Sequence, residues 1–303
     1  MTAASTPTKT RRLRELVAKG EFLYMPSCAT PLEGRLAEAA GTPVVYTGGY
    51  VSGASRVITE PLLTMDEQVR IAGEVARATS VPALADAGAG FGEPLHTMRT
   101  VREFAAAGVA GVHIEDQLYP KRAHYHGYQV HAIPRDEFVA KIKYACLQRD
   151  ETDPDFLVIA RSDTCREFGL EEAVGRINAA AEVGADMGLV FPRSREEADA
   201  APRLAKVPLV WVQSRGNRDG RPILPLGDLK AMGYAGCIDA QIMLAVAVHS
   251  MKAALAELVA TGNYTGLDDT AFVALRKEIE DLIGLDAYYR IEAATVEPGS
   301  KPG

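Results

Sequence analysis

The chain has 303 residues, 47% of them hydrophobic and 24% charged, enough apolar material for one large core beneath a polar surface. Its formal charge of −7 argues against nucleic acid or an anionic membrane as partner, so an anionic ligand must find local positive charge rather than a global field. Four scattered cysteines without a CxxC pair predict reduced thiols. The lack of an apolar signal region and of an 18-residue apolar run predicts a cytoplasmic protein that spans no membrane.

In chain order, apolar strand-like runs alternate with amphipathic helices. Strands are predicted over 22–26, 43–48, 82–86, 111–115, 156–161, 187–191, 208–212 and 236–238. Helices fit over 65–79, 94–107, 135–148, 170–183 and 195–204. A helix closed by glycine and followed within a few residues by a strand recurs at Gly41, Gly108, Gly184 and Gly233, which read as left-handed caps. That is the connection of a parallel sheet. Eight such strands predict an α/β fold of the (β/α)8 TIM-barrel type rather than an open Rossmann sheet, and no GxGxxG follows a first strand. The barrel domain is assigned to 1–260, and 261–303 to a C-terminal helical extension and tail.

Charge is concentrated at the C-terminal ends of three of these strands: Asp86, then Glu115 with Asp116, then Arg161. Acids at strand ends can hold a hard divalent cation, and a guanidinium there can clamp a substrate carboxylate.

At these positions the chain resembles the isocitrate lyase/phosphoenolpyruvate mutase superfamily. The resemblance covers roughly residues 16–258. It rests on Ala85-Asp86 with Gly90-Phe91-Gly92, on Gly111-Val-His-Ile-Glu-Asp-Gln117 with Pro120-Lys121-Arg122, and on Ala160-Arg161-Ser-Asp163. It implies a barrel enzyme with Mg²⁺ as cofactor, a small-molecule carboxylate as substrate, and a homo-oligomer, tetramer or dimer, that exchanges a C-terminal helix. Asp86 and Glu115 are the implied metal residues, with Glu60 an open candidate. Arg161 is the implied carboxylate clamp. Tyr46, Gly48, Gly49, Tyr50 and Gln213 are implied to bind substrate, the Gly49 and Tyr50 amides steadying an enolate oxygen.

Three departures from the family pattern narrow the reading. The strand-3 motif that commonly carries a second acid has Gly88 there, and the acid after strand 2 is displaced to Glu60. The loop that carries a catalytic cysteine in the isocitrate and methylisocitrate lyases reads Lys121-Arg122-Ala123-His124-Tyr125-His126-Gly127. Alanine cannot donate a proton, so Lys121, His124 and His126 become the candidate catalytic groups, histidine having the pKa for proton transfer near neutrality. A family glutamate after strand 6 is replaced by Arg193, which with Arg215 can receive a second carboxylate or simply face solvent. His113 and Trp211 read as core, Cys28 as core or pocket lining, and His96 is left open.

The combined reading is a Mg²⁺-dependent carbon–carbon lyase that acts on a 2-hydroxy- or 2-oxo-carboxylate through a metal-bound enolate. The alternatives are a phosphonate C–P enzyme, an oxaloacetate decarboxylase and a barrel that binds a metabolite without turnover.

Overall fold

The computed structural model of the chain describes residues 7–123 and 129–297. It has eight parallel strands: β1 (Leu23–Pro26), β2 (Val45–Thr47), β3 (Ala83–Asp86), β4 (Gly111–Glu115), β5 (Leu157–Ser162), β6 (Met187–Val190), β7 (Leu209–Gln213) and β8 (Gly236–Asp239). They are hydrogen-bonded in the order β1-β8-β7-β6-β5-β4-β3-β2. A parallel bridge between Ser27 and Tyr46 joins the two edges, so the sheet is a nearly closed barrel.

The helices between strands are α1 (Lys9–Ala18), α2 (Pro31–Ala39), α3 (Gly49–Ala54), α4 (Met65–Ala78), α5 (Pro94–Ala106), α6 (Arg135–Thr152), α7 (Cys165–Glu182), α8 (Arg195–Leu204) and α9 (Leu226–Met232). This is the expected (β/α)8 TIM-type architecture. Two helix starts are set by capping boxes, Thr30 with Glu33 and Thr64 with Glu67. Gly41, Gly108, Gly184 and Gly233 all have positive φ, between 87° and 110°, as the helix-to-strand turns require. The short helix α3 was not anticipated; its glycine-rich sequence has no helical periodicity to detect.

Strand alternation sorts the core into two layers. Met25, Tyr46, Leu84, Ile159, Leu189 and Ile238 belong to one buried cluster, the barrel interior. Val45, Ala85, Ile114, Ala160, Val190 and Trp211 belong to another, shared with Phe104 of α5, Phe138 of α6 and Ile177 of α7. Extending the same alternation one step beyond the interior residues places Asp86, Glu115, Arg161 and Phe191 on the inward register at the C-terminal mouth. Asp116, Ser162 and Gln213 fall on the helix-facing register.

The chain divides into two compact units, Met1–Leu244 and Ala245–Gly303. The second contains most of α10 (Ile242–Thr261), then α11 (Asp269–Ile283) and α12 (Leu285–Thr295), the extra C-terminal helices expected. Helix α10 has no buried residue and, at a mean hydropathy of 1.7, is long and apolar enough to cross a membrane by length and composition. Lys252 and Glu257 interrupt its apolar sequence, so no 18 consecutive residues are apolar, as expected.

Candidate active site

The strand mouth opens into a cleft of about 820 Å³, its open entrance included. On one wall Asp86, at the end of β3, accepts backbone N–H groups from Gly88 (2.8 Å) and Gly49 (3.3 Å). Gly49 packs so tightly that a Cβ there would lie 2.6 Å from Glu60 Cγ. His113 sits beside Asp86 in the β3–β4 register, with Nδ1 3.6 Å from Oδ1. Its Nε2 is 2.6 Å from the Tyr46 hydroxyl, against whose ring it stacks. Burial pushes the His113 pKa down to about 4 and that of Tyr46 well above its ordinary value. Burial alone would raise the Asp86 carboxyl, yet neighbouring positive charge holds it far below the usual range. That charge is protonated His113, then Arg161 and Lys121, and the Gly88 N–H adds a hydrogen bond.

Glu115 and Arg161 are register partners on β4 and β5. Arg161 Nη2 lies 3.1 Å from Glu115 Oε2, and Nη1 lies 3.7 Å from Asp86 Oδ2. Asp163 fixes the guanidinium from two sides, accepting from Nε at 2.8 Å and from Nη2 at 2.9 Å. Gln117 donates to the same carboxylate. Lys121 reaches in from the loop after β4 and donates to both Glu60 and Glu115. Burial raises the Glu115 pKa to about 8 against the pull of Lys121 and Arg161. This wall is one connected set of buried charges.

The opposite wall is built on the loops after β6 and β7. Phe191 presents its ring to two guanidiniums, Arg221 at 4.6 Å and Arg161 at 5.0 Å from the centroid. Arg221 and Arg193 both pair with Asp219, at 3.1 and 2.9 Å.

Several predicted residues line this cleft: Tyr46, Gly48, Gly49, Tyr50, Asp86 and Arg161, together with Glu60. Lys121 and Glu60 border the adjoining recess beside Asp86 and Gly88. Gln213 does not line the cleft. Its amide is spent on Trp211 Nε1 and on both backbone groups of Leu224, as the helix-facing register dictates. Arg215 pairs with buried Asp239 at 2.9 Å and also lies outside the lining. Asp116 takes no place in the cleft either; it ties Ser162, the Asp163 amide and Arg176 together behind the sheet. His96 is exposed, whereas Cys28 and Trp211 are buried. His124, Tyr125, His126 and Gly127 lie outside the described residues.

Local motif reading gave no role to Asp163, although it stands in a quoted motif, and passed over Phe191, Asp219, Arg221 and Gln68. For Asp163 a signal was present, an acid two residues beyond Arg161 on the same strand face. Asp219 and Arg221 lie in a polar loop with no local pattern to mark them.

The donor set around Asp86 suits a hard cation: Asp86, Glu115 and Glu60 offer only carboxylate oxygens. Two buried groups support a further occupant. Glu115 Oε1 accepts no hydrogen bond, although Lys121 Nζ is 3.1 Å away, and both amide atoms of buried Gln68 lack partners. Gln68 borders the recess next to Gly88, where an added Cβ would meet nothing within 4 Å. The fit is chemical rather than complete, because no group of three or more His, Cys, Asp or Glu side chains is arranged to hold a metal among the described residues.

A (β/α)8 barrel with buried carboxylates and a doubly anchored guanidinium at its strand mouth has its charged cleft where barrel enzymes carry their active sites. Residues 13–259 match the phosphoenolpyruvate phosphomutase family, and the chain belongs to the isocitrate lyase/PEP mutase superfamily. It is 32% identical over 286 residues to the 2,3-dimethylmalate lyase of Eubacterium barkeri, covering 93% of this chain and 96% of that one. It is 34% identical over 270 residues to a probable 2-methylisocitrate lyase of Corynebacterium glutamicum, covering 87% and 85%. The solved structure of an oxaloacetate acetylhydrolase with 3,3-difluorooxalacetate superposes with a TM-score of 0.87 at 28% identity, covering 98% of this chain and 99% of that one.

Proposed function

We propose that this chain is a Mg²⁺-dependent lyase that breaks a carbon–carbon bond in a 2-hydroxy- or 2-oxo-carboxylate and releases a pyruvate-type product. The observation that carries this reading is the meeting of Asp86, Glu115 and Arg161 on one inward register, with Arg161 locked by Asp163. Asp86 is the direct metal ligand, and Glu115 binds the ion or its waters, with Glu60 beside them. A cation held there supplies Lewis acidity to an oxygen next to the substrate carboxylate.

The chain's own residues do the rest. Arg161 orients the carboxylate, and its anchorage by Asp163 means that little rotamer freedom is lost on binding. The Tyr50 amide faces the oxygen that gains charge, while the Gly49 amide, expected to share that role, is held by Asp86. The Tyr46–His113 pair shapes the floor. Lys121 neutralises charge beside Glu115, and His124 or His126 on the same segment delivers the proton that Ala123 cannot. His124→Ala or His126→Ala should lower kcat by about 10²-fold with the fold retained, read by steady-state kinetics beside circular dichroism.

The deciding experiment is a Mg²⁺-dependent screen of alkylmalates, methylisocitrate, oxaloacetate and phosphonopyruvate, with pyruvate or carbon dioxide release as readout. Turnover of the phosphonate alone would move the assignment to C–P chemistry. Decarboxylation of oxaloacetate alone would make the chain a decarboxylase, and no turnover a binding barrel. We also assign α10 to an interface between copies of this chain, since its apolar surface is uncovered. A monomer by light scattering without detergent would refute that assignment.

A further inference from the structure

We infer that Arg193 and Arg221, joined on Asp219, form a second anion subsite that receives the distal carboxylate of a dicarboxylic substrate. The inference rests on the lyase reading for its first subsite, Arg161. The charges at this end of the cleft do not balance. One carboxylate, Asp219, serves two guanidiniums: Arg221 Nε donates to Oδ1 at 3.1 Å and Arg193 Nη1 to Oδ2 at 2.9 Å. Arg166, on the same lining, is already paired with Glu167 at 3.8 Å and does not add to this imbalance. Two positive groups on one acid leave a net attraction for an entering anion.

The subsite is held in shape before any ligand arrives. Asn217 accepts from the Arg221 amide and donates to its carbonyl, both at 3.0 Å, and also donates to the Ser214 carbonyl. The Arg193 amide donates to Glu197 at 2.6 Å. Arg221 lies on the Phe191 ring, so its torsions are restricted by stacking as well as by Asp219. Groups already ordered cost little entropy when they bind.

Phe191 also works as a ruler. Arg161 and Arg221 both lie within 5.0 Å of its centroid, so their guanidinium carbons are within about 10 Å of each other. A guanidinium carbon paired with a carboxylate sits about 4 Å from the carboxylate carbon, and the two carboxylate carbons of a C4 diacid are about 4 Å apart. A bent four- or five-carbon diacid therefore spans the two sites, whereas a three-carbon monoacid reaches only one.

Calorimetric titration in Mg²⁺ tests the inference without requiring turnover, so its failure is distinguishable from failure of the lyase assignment. The probes are malate, 2-hydroxybutyrate, which has the same length and one carboxylate, and phosphonopyruvate. The wild-type protein should bind malate at least about 10-fold more tightly than 2-hydroxybutyrate. Arg221→Gln and Arg193→Gln should each remove most of that preference while changing 2-hydroxybutyrate affinity less than about 2-fold. Arg221→Lys should restore part of it, which separates lost charge from a damaged loop. Equal affinity of the wild type for malate and 2-hydroxybutyrate, no malate binding, or an unchanged preference in both glutamine variants overturns the inference. A preference for phosphonopyruvate over malate that both glutamine variants abolish would also overturn it, by assigning the subsite to a phosphonate.

Discussion

On the β3–β5 side of the cleft, Asp86, Glu115, Arg161 and Asp163 are all buried and hold one another in a single network. On the β6–β7 side, Arg193 keeps 25% of its side-chain surface in contact with solvent, whereas Asp219 and Arg221, at 11% and 9%, are about as enclosed as Arg161 at 10%, and the pairs form a smaller cluster. The first wall has paid desolvation for every charge, so each member depends on the others. The second is open to water chiefly at Arg193, so that guanidinium is the member whose loss it tolerates best. The same ion-pair chemistry thus builds a fully enclosed network on one side and a smaller, partly open cluster on the other.

The contrast predicts graded effects. Asp86→Ala should abolish turnover, since it removes the direct ligand from a thin carboxylate set, and Glu115→Gln should be milder if its contact runs through water. Mn²⁺ affinity measured by electron paramagnetic resonance should fall in parallel. An active Asp86→Ala enzyme in the presence of EDTA would remove the metal assignment.

The stability comparison comes next in size. Arg161→Gln strands three buried acids and should cost about 3–5 kcal/mol in urea unfolding. Arg193→Gln leaves Asp219 with Arg221 and should cost less than about 1 kcal/mol. Equal costs would erase the distinction between the walls.

A smaller effect lies behind the first wall. Burial, with Asp163 nearby, raises the Asp116 pKa from the ordinary 3.8 to about 6. The native state then holds a proton that the unfolded chain has released, so this contribution is fully present below the ordinary value and is lost as pH rises through about 6. Without metal, the difference in unfolding free energy between wild type and Asp116→Asn should fall between about pH 4 and pH 6, by at most about 1.4 kcal/mol per unit, and be flat above. A flat difference throughout would show that Asp116 is not shifted.

The smallest effect concerns the thiols. Burial pushes the thiols of Cys28, Cys146, Cys165 and Cys237 up to about 12. Iodoacetamide at neutral pH should leave activity within about 2-fold of the untreated enzyme, with labelling appearing only on unfolding. Rapid inactivation would point to a thiol route despite Ala123.

By itself the sequence determined the barrel and its first wall. Strand alternation, glycine-closed helices and charged strand ends are local patterns, and they placed Asp86, Glu115 and Arg161 at adjacent strand mouths. It also contained the register that turns Gln213 and Asp116 toward the helices, although motif matching alone had put Gln213 in the substrate site. Only the tertiary structure decided that Lys121 reaches between Glu60 and Glu115, 61 and 6 residues away in sequence. It also decided that Asp219 gathers Arg193 from 26 residues away as well as Arg221. Such contacts join loops with no periodic pattern, and long side chains there are placed by whatever charge the folded chain brings within reach, so no local spacing encodes them.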